Sequence, residues 1–280
     1  MGAFDRRIRG GLFALGALAG LLGIAYAGVY LYTERALRVP PPAVALGQLP
    51  AGEVEEGARL ARVLGCRGCH TSDLGGQVFV DIPNVARLVA PNLTRLRDVY
   101  DEPAFLRLMR TGAKADGRLA LVMPNKAHQR LTDRQLADLF AYLHSVPAVE
   151  REPPTTRLRP LGRLGIVLGK YDLEELEADV PESPVVLADR NEADRGRHIA
   201  LVACTECHGV NFAGFPEEGN PPLAVAKAYT DAEFVRLMRE GLTKAGKQSQ
   251  SGLMSEVARG RFAHFTDEEI ASLKGFLDRL

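Results

Sequence analysis

The sequence predicts an all-α protein: two tandem helical domains behind one N-terminal transmembrane helix. Three observations lead there. Blocks of residues recur in the same order in the two halves of the chain, apolar positions inside those blocks follow helical spacing, and a long uncharged run stands near the N-terminus.

The first element is that run. Arg6, Arg7 and Arg9 precede an uncharged stretch from Gly10 to Thr33. A helix over residues 11–32 rises about 33 Å at 1.5 Å per residue, enough to cross the hydrocarbon core of a bilayer. Residues 1–10 are then the cytoplasmic N-terminus and 11–32 the anchor. The positive flank stays inside, which sends the rest of the chain to the periplasmic face of a bacterial inner membrane. Ala25 and Ala27 form an AxA-like cleavage site, but the apolar run continues through Val29, Tyr30, Leu31 and Tyr32. It outlasts the apolar core of a signal peptide, roughly 7 to 15 residues, so an uncleaved anchor is expected.

Beyond the anchor, "EEGARLARVLGCRGCHTSDLGG" (55–76) lies over "DRGRHIALVACTECHGVNFAG" (194–214), with one residue fewer before the second Cys pair. "FLRLMRTG" (105–112) matches "FVRLMREG" (234–241), and "LTDRQLADLFAYL" (131–143) matches "FTDEEIASLKGFL" (265–277). Three blocks in register predict a duplicated domain of roughly 90 residues, placed at 53–148 and 188–280, with linkers at 33–52 and 149–187. Leu60, Val63 and Leu64, like Ile199, Val202 and Ala203, mark a helix before each Cys pair. Thr132 with Gln135, and Thr266 with Glu269, are capping boxes that open a last amphipathic helix in each copy. The second linker is apolar at Leu161, Leu164, Ile166, Val167 and Leu168, and is expected to pack against a domain, with Arg157, Arg159 and Arg163 as the alternative contact to lipid headgroups.

Charge excludes one function class. Lys plus Arg number 35 and Asp plus Glu number 35, so the chain lacks the basic excess of a nucleic-acid binder.

The cysteines number four, Cys66, Cys69, Cys204 and Cys207, in two CxxCH motifs completed by His70 and His208. Three chemistries compete for such a motif. Structural zinc wants four protein ligands, and each copy offers Cys, Cys and His. A redox dithiol wants a βαβ setting, which the helical pattern does not provide. Covalent haem attachment wants what is present: two thiols for the two vinyl groups and a histidine beneath the iron. Two covalently attached c-type haems are therefore expected.

A sixth iron ligand should come from beyond the middle helix of each copy. Met109 and Met238 share a helix face with Phe105 and Leu108, or with Phe234 and Leu237, and read as core. Met123 and Met254 lie in Gly- and polar-rich segments before the last helix and are the better candidates. His128 and His264 stand near those segments and could compete, His144 ends a helix and His198 lies on the helix before the second Cys pair; each of the four reads better as a satisfied or surface histidine.

These motifs resemble class I cytochromes c. Closer still are the membrane-anchored multi-haem cytochrome subunits that serve periplasmic alcohol and gluconate dehydrogenases. The first copy carries "APNLT" (90–94), "RTGAKADGR" (110–118), "MPN" (123–125) and "LTDRQLADLFAYLHSVP" (131–147); the second carries "GLMSEV" (252–257). The resemblance implies two tandem class I cytochrome c domains and the axial pairs His70 with Met123 and His208 with Met254. This chain departs in having two such domains where that group commonly has three, and in following Met254 with Ser255 rather than proline.

The expected function is transfer of single electrons, without catalysis by the chain itself. The expected donor is a dehydrogenase or quinol-oxidising complex, and a respiratory or photosynthetic acceptor takes the electrons on. A dihaem peroxidase would need an iron with an open site and an acid/base group beside it. A mainly structural haem subunit of an oxidase or dehydrogenase complex would need only docking surfaces.

Overall fold

In the computed structural model, residues 3–41, 46–171 and 192–280 are described. Residues 42–45 of the first predicted linker, 172–187 of the second and 188–191 at the predicted start of the second domain lie outside them, as do the side chains of Arg6, Arg7 and Arg9.

Helix α1 (Ala3–Ala36) overruns the predicted end of the anchor. Its stretch Gly10–Ala36 is long and apolar enough to cross a membrane and packs none of its most apolar window against the protein. The chain then docks at once on the first copy: Leu37 is buried, its carbonyl accepts from Leu119 N at 2.8 Å, and Val39 N donates to Gly117 O at 3.0 Å.

The first copy comprises α2 (Val54–Val63), a single turn α3 (Cys66–Cys69), α4 (Glu102–Thr111), a turn α5 (Asn125–His128) and α6 (Asp133–Ser145). Between α3 and α4 stand two strands, β1 (Gln77–Ile82) and β2 (Ala86–Ala90). Strand β3 (Arg157–Leu158) follows α6 and pairs with β2, making a three-stranded antiparallel sheet in the order β1-β2-β3. Helix α7 (Pro160–Val167) follows. The second copy comprises α8 (Glu192–Ala203), α9 (Thr205–His208), α10 (Asp231–Glu240), α11 (Leu253–Gly260) and α12 (Asp267–Leu277).

The sheet corrects the all-α expectation. The reason is an insertion: His70 lies 21 residues before the proline carbonyl it bonds, whereas His208 lies 13 residues before its counterpart. The added residues form a hairpin whose turn carries Asn84 at φ 62, a left-handed position that Asn tolerates better than most residues. The rest of the chain is mostly helical.

The described part of the linker beyond α6 is held by its arginines rather than by the apolar residues expected to pack: of Leu161, Leu164, Ile166, Val167 and Leu168 only Ile166 is buried, and the other four are exposed. Arg159 pairs with Asp81 at 2.6 Å. Arg163 is buried: it donates to Thr33 Oγ1 at 2.7 Å and to Glu34 Oε1 at 2.6 Å, and its guanidinium lies 4.1 Å from the Tyr30 ring centroid. A residue that sequence reading left free for lipid headgroups is thus engaged by the end of α1.

The two copies of the repeat make parallel contacts. An arginine at the end of the middle helix clamps the turn that opens the last one in each copy. Arg110 donates to the Gln129 and Leu131 carbonyls and pairs with Asp133 at 2.6 Å; Arg239 donates to the Ala263 and Phe265 carbonyls and pairs with Asp267 at 2.6 Å. Both expected capping boxes form, and Thr230 with Glu233 adds another on α10.

First and last helices cross at a glycine in both copies. A Cβ on Gly57 would lie 1.9 Å from Asp138 O, and one on Gly196 would lie 2.0 Å from Ser272 O. The obstruction is backbone on both sides, so the helices must separate to admit a methyl group. Gly57→Ala and Gly196→Ala are each expected to destabilise by about 3 kcal/mol, the upper part of the range for overpacking, measured by thermal unfolding. An exposed control such as Gly260→Ala, which meets nothing within 4 Å, should not destabilise.

Candidate haem sites

The CxxCH segment of the first copy leaves helix α2 through Gly65, which sits at φ 78 and caps the Cys66–Cys69 turn. That turn places both thiols and the following imidazole on one wall of a cavity of about 200 Å³. Met123, Met109 and His128 line the same cavity, amid apolar neighbours that include Phe105 and Leu139. Cys66, Cys69, His70 and Met123, which the sequence singled out, are thereby brought together.

His70 is buried, and its Nδ1 lies 2.8 Å from Pro91 O. A carbonyl only accepts, so Nδ1 carries the proton and Nε2 keeps its lone pair. Burial pushes the imidazole pKa down, against the opposing effect of the Pro91 bond, and keeps the ring neutral. A neutral imidazole with one nitrogen fixed to a carbonyl and the other bare is the form in which histidine binds a metal. His208 repeats this: Nδ1 lies 2.7 Å from Pro221 O, and burial likewise lowers its pKa.

The thiols are free, with no disulfide in either pair. Burial pushes Cys66 up to about 11 and Cys204 up to about 12, while Arg261 opposes the rise at both. Cys69 and Cys207 are raised by burial as well. Neutral thiols are poor nucleophiles and do not suit a fast redox dithiol. Among the described residues no group of three or more His, Cys, Asp and Glu side chains converges as a metal site.

In the second copy Cys204 is buried, and α9 carries Thr205, Glu206, Cys207 and His208 as a single turn. Met254 lies in the first turn of α11 rather than in an irregular loop, half-buried against the core. Met109 and Met238 are buried in the core, as the helical pattern indicated.

His144 bonds its own helix through Phe140 O at 3.0 Å, and His198 meets Gln135 Oε1 at 2.9 Å; both are satisfied. His264 is half-buried at the junction of the copies. His128 is different: it is buried, its Nδ1 has no hydrogen-bond partner, and desolvation drives its pKa down to about 4. An apolar cavity bearing two thiols, a proton-fixed imidazole, a thioether and an unpaired buried imidazole fits a covalently held haem.

A residue absent from the sequence-based expectation also reaches this cavity, and a second holds it in place. Glu206, between the cysteines of the second motif, lines the cavity of the first. Arg261 bonds Val63 O at 2.9 Å and pairs with Glu206 at 2.7 Å. Glu206 carried one available signal, its place inside a CxxCH motif; Arg261 carried none.

Known proteins and one family model match the chain. The chain is 25% identical over 256 residues to the fructose dehydrogenase cytochrome subunit of Gluconobacter japonicus, covering 80% of this chain and 52% of that protein. It is 29% identical over 225 residues to a nicotinate dehydrogenase subunit of Pseudomonas putida, covering 75% of this chain and 18% of that protein. The matches thus span about half of the first relative and under a fifth of the second. Residues 54–147 and 193–280 match the Cytochrome c family. Those stretches make up more than half of the chain and contain both CxxCH motifs, and the chain belongs to the cytochrome c family.

Proposed function

We propose that this is a membrane-anchored dihaem cytochrome c that relays single electrons, built as two tandem cytochrome c domains at 53–148 and 188–280. The observation that carries the reading is the repetition, in both copies, of a CxxCH turn whose histidine Nδ1 is tied to a proline carbonyl. Cys66 and Cys69 would hold one haem, with His70 and Met123 on its axis. Cys204 and Cys207 would hold the other, with His208 and Met254. Bound haem iron supplies the chemistry by alternating between ferric and ferrous states.

The chain's residues set the terms of that exchange. Each histidine is held neutral and oriented by its carbonyl, and the methionine thioether favours the reduced state. Apolar walls around His70 limit water and so disfavour the charged ferric form. The names of the relatives support a dehydrogenase as the donor partner, and α1 would hold the chain in the inner membrane with residues 34–280 in the periplasm.

Denaturing mass spectrometry of the purified protein tests this directly: the expected mass is the polypeptide with Met1 retained plus two haem groups. Any other haem count contradicts the reading. Protease added to spheroplasts should digest the haem-bearing region, and protection of that region would place the domains on the wrong side of the membrane.

A further inference from the structure

The two attachment turns meet at one junction between the copies, and a single guanidinium is built into it. Arg261 belongs to the second copy, in the segment joining α11 to α12. Its Nε donates to Val63 O, at the end of the helix that leads into the first CxxCH, and its Nη1 pairs with Glu206, inside the second CxxCH. The side chain is only 17% exposed.

The backbone makes room for it. The residue before the first cysteine is Gly65 at φ 78, whereas its counterpart Ala203 continues helix α8. A Cβ on Gly65 would lie 2.9 Å from the Arg261 guanidinium. The first copy thus breaks its helix where the guanidinium of the second copy enters. Glu206, the partner of Arg261, also lines the cavity of the first motif, so the ion pair stands between the two attachment turns.

We propose that Arg261 is a shared electrostatic element of both haem sites, favouring the reduced state at each so that the two potentials rise and fall together. The sign follows from charge. Ferric haem carries one more positive charge than ferrous haem, so a nearby cation disfavours the oxidised form and a nearby carboxylate favours it. Arg261 is more buried than Glu206, which is 37% exposed, and is therefore the less screened of the two. This inference rests on the reading that both motifs carry haem.

The test is a redox titration of the full-length holoprotein in detergent, with haem count checked by mass. In Arg261→Gln both midpoints should fall, each by a three- to tenfold change in the reduction equilibrium, tenfold being 59 mV for a one-electron couple. Glu206→Gln should raise both, and the double variant should return towards wild type. Arg59→Gln, which breaks the neighbouring pair with Glu269 across the same junction, should lower the melting temperature and leave the potentials in place. If Arg261→Gln moves the melting temperature with both potentials unchanged, or moves one potential alone, Arg261 is a structural tie and the proposal is wrong. Should that variant fail to fold, Glu206→Gln decides: both midpoints rise, or the proposal falls. A wild-type chain with fewer than two haems would instead defeat the functional reading beneath it.

Discussion

Cys66→Ser combined with Cys69→Ser is expected to leave one covalent haem per chain, carried by the second copy, and to unfold most of the first. Serine preserves size but forms no thioether, so both covalent bonds at that site disappear. The non-covalent hold then depends on His70 and Met123 alone. The cavity they share has a volume of about 200 Å³. Without haem its apolar walls, among them Phe105, Leu108, Leu139 and Leu143, lose their packing partner, and with a domain's whole stability only about 5–15 kcal/mol the first copy becomes marginal. The second haem should stay attached through Cys204 and Cys207, although its copy loses ties to the first such as Arg261 to Val63 and Arg59 to Glu269. Denaturing mass spectrometry and a two-step thermal melt check this. Retention of both haems would refute attachment at Cys66 and Cys69.

The legible part of this protein is its local chemistry. Cys, Cys and His at fixed spacing, a Thr three residues before Gln or Glu, and an uncharged run of bilayer length each act within a few residues. The structure accordingly contains the capping boxes at Thr132 and Thr266 and the long apolar helix. The hairpin escaped because its strands show no clean period of two: Val78, Phe79 and Ile82 are all exposed, and neighbours on opposite faces share that exposure. Its one local signal was the Pro83–Asn84 turn. The junction escaped for a different reason. Arg261 meets Val63 across 198 residues, and Arg59 meets Glu269 across 210, and no pattern along the chain encodes which distant carbonyl an arginine will find. His128 looked like a satisfied histidine because sequence reveals a side chain's capacity for bonding but not whether burial leaves it a partner.

That unpaired histidine makes the two copies respond differently to loss of their methionines. Met123→Ala should alter the first haem with little cost to the fold, because the surrounding turn is held by other groups: Asn125 N donates to Met123 O at 2.8 Å, and Asn125 Nδ2 donates to Ala120 O at 3.0 Å. The thioether is lost as a ligand, and His128, buried in the same cavity with Nδ1 unpartnered, is a replacement at hand. The first haem should stay low-spin with a potential lowered by on the order of 100 mV or more, well inside the ~0.8 V that axial ligands span. In the second copy the histidine close to Met254 in sequence is His264, whose backbone carbonyl is held by Arg59 of the first copy and whose ring stands in the field of Arg62, Arg59 and Arg67. Met254→Ala should therefore leave that iron five-coordinate and high-spin. Met109→Ala and Met238→Ala, which truncate buried core side chains, should cost about 2–5 kcal/mol without changing either spin state. Optical and electron-paramagnetic spectra of the ferric proteins separate these outcomes. If Met123→Ala and Met254→Ala leave both haems with wild-type potentials and spectra, neither methionine is a ligand and the sixth position belongs to another residue.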